Sequence, residues 1–173
     1  MKKKIIVFSI TTLLFVALGI FFGVQRITPS AAGQSAVNTL LAASLPDTHG
    51  QAQKLSQWKE KALIVNFWAT WCAPCVEEMP ELSALQKEVA PRDIQILGIG
   101  IDSAVNIGKF AEKYQISYPL LVAGVGGVEL SRQFGNQAGG LPFTVLIGKD
   151  GIVKKTYLGR LKMDQLRQDL KAI

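Results

Sequence analysis

The chain has 173 residues, with 19 Lys plus Arg against 13 Asp plus Glu, two cysteines and one histidine, which is enough for one domain with a core of its own. Cys72, Cys75 and His49 are too few for a four-ligand zinc site of cysteine and histidine, and two cysteines cannot staple a multi-disulfide scaffold, so no metal is expected. The formal charge of +6 does not mark a nucleic-acid binder: Lys2, Lys3, Lys4 and Arg26 precede every acid in the chain, leaving 15 basic against 13 acidic residues over 44–173, too balanced for a phosphate-binding surface.

Residues 1–4 read as a cytoplasmic stub. Ile5 to Val24 follow without a charge, and as a helix these twenty residues would span ~30 Å, the thickness of bilayer hydrocarbon. Three lysines before the run and only Arg26 close behind it place the N-terminus in the cytoplasm and the rest outside. A signal peptide cleaved near Ser30-Ala31-Ala32 is the alternative, although its apolar core is usually shorter. Either way the domain is exported. Residues 25–43, small and mostly uncharged, read as a linker, with the apolar stretch Val37 to Ala43 able to lie against the domain instead. The domain itself is assigned to 44–173.

Within it, Ala62 to Trp68 is a continuous apolar run of the kind found in a strand covered on both faces. Val76 to Val89 carries apolar residues at 76, 79, 82 and 85, a helical stripe in which Pro80 predicts a kink. Strands are expected at 94–101, 118–122, 143–147 and 152–157, and helices at 104–114, 128–134 and 162–173. The last two strands form a hairpin about Gly148-Lys149-Asp150-Gly151. This order predicts an α/β fold, a mixed sheet with helices on both faces.

The chemistry is concentrated in Trp71-Cys72-Ala73-Pro74-Cys75, directly after a buried strand and at the mouth of a helix. A two-residue spacer closes a small disulfide ring within one helical turn, and the free N–H groups there, with the positive end of the helix dipole, stabilise a thiolate. Cys72 is therefore expected to be the exposed nucleophile, and Cys75 the buried thiol that resolves a mixed disulfide. Pro74 is tolerated because the first turn has no use for its missing N–H. A haem attachment would need histidine at position 76, where valine stands. A purely structural disulfide remains the alternative, though so short a loop removes little chain entropy.

The run ALIVNFWATWCAPCVEEMPEL, followed about 65 residues later by Gly140-Leu141-Pro142 and a strand hairpin, resembles the thioredoxin fold, specifically the membrane-anchored thiol–disulfide oxidoreductases of the TlpA, ResA and CcmG type. The resemblance covers about 44–173 and includes Leu45-Pro46-Asp47 with Gly50 and a central strand–helix insertion between Ile94 and Tyr114. It implies a cis peptide bond at Pro142, with Leu141 pairing its backbone to an extended client segment. It also implies a client surface made by Trp71, Ala73, Pro74, Leu141 and Pro142, the Trp71 ring lying over the active site. Where thioredoxins commonly bury an aspartate this chain has Asn66, which cannot take a proton. Glu78 lies three residues after Cys75 on the same helical face, and the anchored branch commonly carries glutamate there. Glu78 is therefore the expected proton acceptor for Cys75, the alternative being an ordinary surface acid near a helix start. Glu77 is expected on a different face, paired with Glu81.

The resemblance implies no cofactor beyond the Cys72–Cys75 dithiol/disulfide. It implies a membrane thiol reductase as electron donor, and exported cysteine proteins, for example apocytochrome c, as clients. The place is the extracytoplasmic side of a bacterial inner membrane. Nothing charged stands between the cysteines to stabilise the thiolate further, which favours reduction over oxidation. Two alternatives stand. A peroxiredoxin-like thiol peroxidase would need proline and threonine where Val65 and Ala69 occur. A tethered escort would bind a cysteine protein without turnover.

Overall fold

The computed structural model describes residues 31–173; the proposed stub, the apolar run 5–24 and the first part of the linker lie outside the described residues. Among the described residues no helix is long and apolar enough to cross a membrane.

The packed unit begins before residue 44: Val37 to Ala43 lie against the domain, the alternative their composition allowed, and the packing extends further back, to Ala31. Ala31–Ala42 is a helix, α1, and Ala36, Val37 and Leu40 on one of its faces are buried. Residues 31–43 are thus part of the domain rather than a free tether. The run of small and apolar residues that looked like linker composition is a helix whose i, i+4 spacing at Ala36 and Leu40 faces the sheet. A short antiparallel hairpin follows, β1 (Ser44–Pro46) and β2 (Ala52–Lys54), and then one 3₁₀ turn at Leu55–Trp58. Asp47 caps the hairpin loop, accepting from the N–H of His49 and of Gln51 and from the Gln53 amide.

Five strands make the central sheet: β3 (Ala62–Trp68), β4 (Ile94–Gly100), β5 (Leu120–Val122), β6 (Phe143–Ile147) and β7 (Val153–Leu158). Their spatial order is β5-β4-β3-β6-β7, with β3, β4 and β5 parallel and β6 and β7 antiparallel to their neighbours. The strand period of two splits β3 between two cores. Ile64 and Trp68 face α2 (Ala73–Val89), α3 (Ala104–Tyr114) and α5 (Met163–Asp169), whereas Leu63, Val65 and Phe67 face α1, the 3₁₀ turn and α4 (Gly126–Gln133). A fully apolar strand is what a sheet covered on both faces requires. β7, at the edge, alternates half-buried with exposed residues instead.

Helix ends are set locally. Ser103 caps α3 by accepting from the N–H of Asn106, and Gln115 ends it in the left-handed conformation. α2 runs from Ala73, three residues before the stretch identified by its apolar spacing, and passes through Pro80.

Candidate active site

The C-terminal ends of parallel strands are where an open α/β sheet leaves a crevice, and the site forms there. β3 ends at Trp68, and residues 69–71 lead to Cys72, which is the N-cap of α2. Because Phe67 is the partner of Phe143 across the β3–β6 pair, Pro142 arrives one residue beyond the ladder, beside the loop that carries the cysteines. The Leu141–Pro142 peptide bond is cis.

Cys72 and Cys75 are joined in a disulfide with Cα atoms 5.3 Å apart. Cys75 is fully covered, and Cys72 keeps only 6% of its surface exposed. The order of exposure agrees with the sequence reading, but the first sulfur is more sheltered than an open nucleophile. Trp71 beside it is 70% exposed and Ala73 and Pro74 are exposed as well, so a client meets an apolar ring and the helix mouth before it meets sulfur. Leu158 is 67% exposed and lies against Gly140, where an added Cβ would meet its Cδ1 at 3.0 Å.

The loop before Cys72 is pinned from β4. Asp102 accepts hydrogen bonds from the Thr70 hydroxyl, from the Ser103 N–H at 2.6 Å and from the Asn106 amide at 2.8 Å. Burial works against its charge, but these donors outweigh it and hold the carboxyl below its ordinary range.

Glu78 is no surface acid. It is 0% exposed, on the same buried face of α2 as Cys75. Its Oε1 accepts from Asn66 Nδ2 at 2.8 Å and its Oε2 from the Leu161 N–H at 2.9 Å. Burial pushes the carboxyl up to about 7, against the pull of those two donors and of the Arg160 charge, with Glu81 adding to the rise. Asn66 therefore does not replace a buried aspartate as a proton acceptor; it serves the carboxyl that stands on the helix. Its Nδ2 also donates to the Thr144 hydroxyl at 3.0 Å, across the β3–β6 pair. Nearby, the buried Tyr118 hydroxyl and Trp68 Nε1 have no hydrogen-bond partner among the described residues. Burial, with the Glu78 charge, drives the Tyr118 phenol well above its ordinary value.

Glu77 stands on an exposed face of α2 with Glu81, away from the cysteines, as its spacing suggested. Both take hydrogen bonds from one guanidinium, Arg160 Nη1 to Glu77 at 2.8 Å and Nη2 to Glu81 at 2.9 Å. Arg160, Leu161, Thr144 and Asp102 were invisible to sequence reasoning, since each reaches the site from a distant element, and Thr70, though in the loop before Cys72, was missed because its partner Asp102 is 32 residues away. Gly159 before Arg160, with φ +86°, was the one local sign of a tight turn there. His49 borders a cavity of about 550 Å³ between β5, α3 and the β1–β2 hairpin that neither cysteine lines.

A redox-active cysteine pair capping a helix beside a cis-proline, on a five-stranded mixed sheet, defines a thioredoxin-like thiol–disulfide oxidoreductase. The chain belongs to the Redoxin family, which it matches over residues 31–172, and within it to the ResA-type enzymes. It is 32% identical over 130 residues to the thiol-disulfide oxidoreductase ResA of Geobacillus thermodenitrificans, covering 75% of this chain and 72% of that one. ResA of Bacillus cereus is 27% identical over 179 residues, covering 100% and 99%. Among solved structures, a thiol:disulfide interchange protein of the thioredoxin family from Chlorobium tepidum TLS superposes with a TM-score of 0.65 at 30% identity, covering 75% of this chain and 91% of that one.

Proposed function

We propose that the protein is a membrane-tethered reductase of disulfides in exported proteins, acting outside the cytoplasm and re-reduced by a membrane thiol reductase. The observation that carries the reading is the Cys72–Cys75 disulfide capping α2 beside the cis Leu141–Pro142 bond, with the buried Glu78 carboxyl on the same helical face as the resolving cysteine.

In the reduced enzyme the free N–H groups at the start of α2 stabilise the Cys72 thiolate. It attacks one sulfur of the client disulfide; that S–S bond breaks and the client's other sulfur leaves as a thiolate, which takes a proton from water. The Cys75 thiol then passes its proton to Glu78 and attacks Cys72 Sγ. The mixed disulfide breaks, the second client sulfur leaves, and the Cys72–Cys75 disulfide forms. Two electrons have moved to the client. Leu141 offers backbone groups for strand addition to the client, with Trp71, Ala73, Pro74 and Pro142 forming the surface around its sulfur. Apocytochrome c, whose thiols must be free before haem is attached, is the client class the ResA kinship favours.

Two measurements test this. Cys75→Ala in the native membrane should accumulate covalent adducts through Cys72, whereas an escort would bind and release its partner unchanged. Glu78→Gln should slow resolution of the mixed disulfide by at least about tenfold near pH 7 and flatten its pH dependence; an unchanged profile would remove Glu78 from the mechanism.

A further inference from the structure

Between β7 and α5 the chain makes a tight loop, residues 159–162, whose first three residues each contact a different part of the site. Gly159, in the left-handed region, turns the backbone so that its N–H donates to the carbonyl of Pro142 at 2.8 Å. Leu161 donates its N–H to Glu78 Oε2 at 2.9 Å. Between them Arg160 points outward and forks over α2, one nitrogen on Glu77 at 2.8 Å and the other on Glu81 at 2.9 Å. Glu77 and Glu81 lie one helical turn apart and flank Glu78 in sequence.

Exposed ion pairs do little for folding stability, and the Arg160 side chain is half exposed. The fork nonetheless has a use that a single pair would lack. A planar guanidinium held at two points cannot pivot as a point charge on a flexible stem can, so it fixes the loop's position along α2 and not merely its distance from it. We propose that Arg160 is a positioning residue: by forking across Glu77 and Glu81 it holds residues 159–161 so that one loop keeps both the Glu78 carboxyl and the Pro142 carbonyl in place.

This rests on the reading of Glu78 as proton acceptor, but it concerns how that carboxyl titrates and can be tested without turnover. The groups facing Glu78 are the Asn66 amide from β3, the Leu161 N–H and the Arg160 charge from the loop, Glu81 on its own helix and the Tyr118 phenol ahead of β5. Of these, Arg160 and Leu161 depend on the fork. If it is released, the ionised carboxyl loses a donor and a nearby cation, and its titration midpoint moves up.

The experiment is a carbon-detected NMR titration of the Glu78 carboxyl in the oxidised full-length protein, at 0.5 M NaCl to screen exposed charges. Arg160→Gln should raise the midpoint by about half to one pH unit, the scale of a weakened hydrogen bond to a charged group. Arg160→Lys, able to meet only one glutamate well, should recover less than half of that. The deciding variant is Glu77→Gln/Glu81→Gln, which keeps the arginine. Removing two negative charges lowers the midpoint if only their field matters, whereas releasing the loop raises it. A fall in the double variant, or a change under about 0.2 unit in Arg160→Gln, overturns the proposal. Amide hydrogen exchange supplies the second readout: Gly159 and Leu161 should exchange at least tenfold faster in both variants, and unchanged protection also overturns it. An unchanged pH profile of thiol exchange in Glu78→Gln would defeat the proton-acceptor reading while leaving these titrations standing, so the two failures are distinguishable.

Discussion

Burying Glu78 ties the stability of the oxidised protein to pH, and the direction follows from its titration. In the unfolded chain the carboxyl titrates near its ordinary 4.5, and in the fold it is pushed up to about 7. The native state therefore holds the proton more tightly. The stabilisation from this group is complete below pH 4.5, is lost progressively as pH rises, and is gone above pH 7. At 1.36 kcal/mol per tenfold change in proton affinity, the loss is about 3 kcal/mol between pH 4.5 and pH 8. Glu78→Gln removes the titration but keeps the volume. It also places an amide NH₂ where one of two incoming donors, Leu161 N–H or Asn66 Nδ2, needs an acceptor, a cost of about 1–3 kcal/mol that does not vary with pH. The informative quantity is thus the change in the stability difference between the two proteins, measured by urea unfolding of the oxidised forms from pH 4.5 to pH 8. The variant should gain about 3 kcal/mol on the wild type across that range. Curves that stay parallel to within about 1 kcal/mol would mean that Glu78 is ionised throughout, and the argument for a proton-accepting carboxyl would fail.

Two further outcomes test the fold that holds the site. Leu40→Ala, which empties a fully buried position on α1, should cost about 2–5 kcal/mol in the same unfolding assay; a change below about 0.5 kcal/mol would return residues 31–43 to the status of a tether. Gly98→Ala should destabilise by about 1–3 kcal/mol, because its Cβ would fall 2.5 Å from Leu120 Cδ2 and 3.2 Å from both Trp68 Nε1 and Tyr118 Cε2. A neutral result in thermal unfolding would show that β4 and β5 are not packed as described.

What the sequence disclosed was what chain-local physics controls. The β3 run, its apolar character demanded by two covered faces, has the bounds Ala62–Trp68 in both readings, and α3 runs from Ala104 to Tyr114 as expected. The cysteine pair at a helix mouth was equally legible, since the strand, the spacer and Pro74 all act within a few residues. The misses share a different cause. α1 has the small, uncharged composition of a linker, and only the sheet beneath it turns Ala36, Val37 and Leu40 into a core face. β1 and β2 are three residues each, too short for alternation to register. Leu161 meets Glu78 across 83 residues of chain, and no periodicity encodes a contact of that separation.

On the proposed mechanism, the same distinction bears on why the proton acceptor stands on α2 rather than on a strand. A proton acceptor for the resolving thiol must be buried, near that thiol and short of strong cationic neighbours, or its affinity for the proton falls too low to be useful at neutral pH. On a strand those conditions are set by the sheet; on α2 the carboxyl travels with Cys75, three residues away, whatever small motions the helix makes. The arrangement requires that the strand position become a donor, because a second acid facing Glu78 would compete for the same proton. Asn66, at 2.8 Å from Oε1, meets that requirement with nearly the shape of an aspartate. It also requires that the loop carrying the Leu161 N–H stay in place against Oε2, 2.9 Å away, and Glu77 and Glu81, by holding both nitrogens of the Arg160 fork, tie that loop to the helix on which the carboxyl stands.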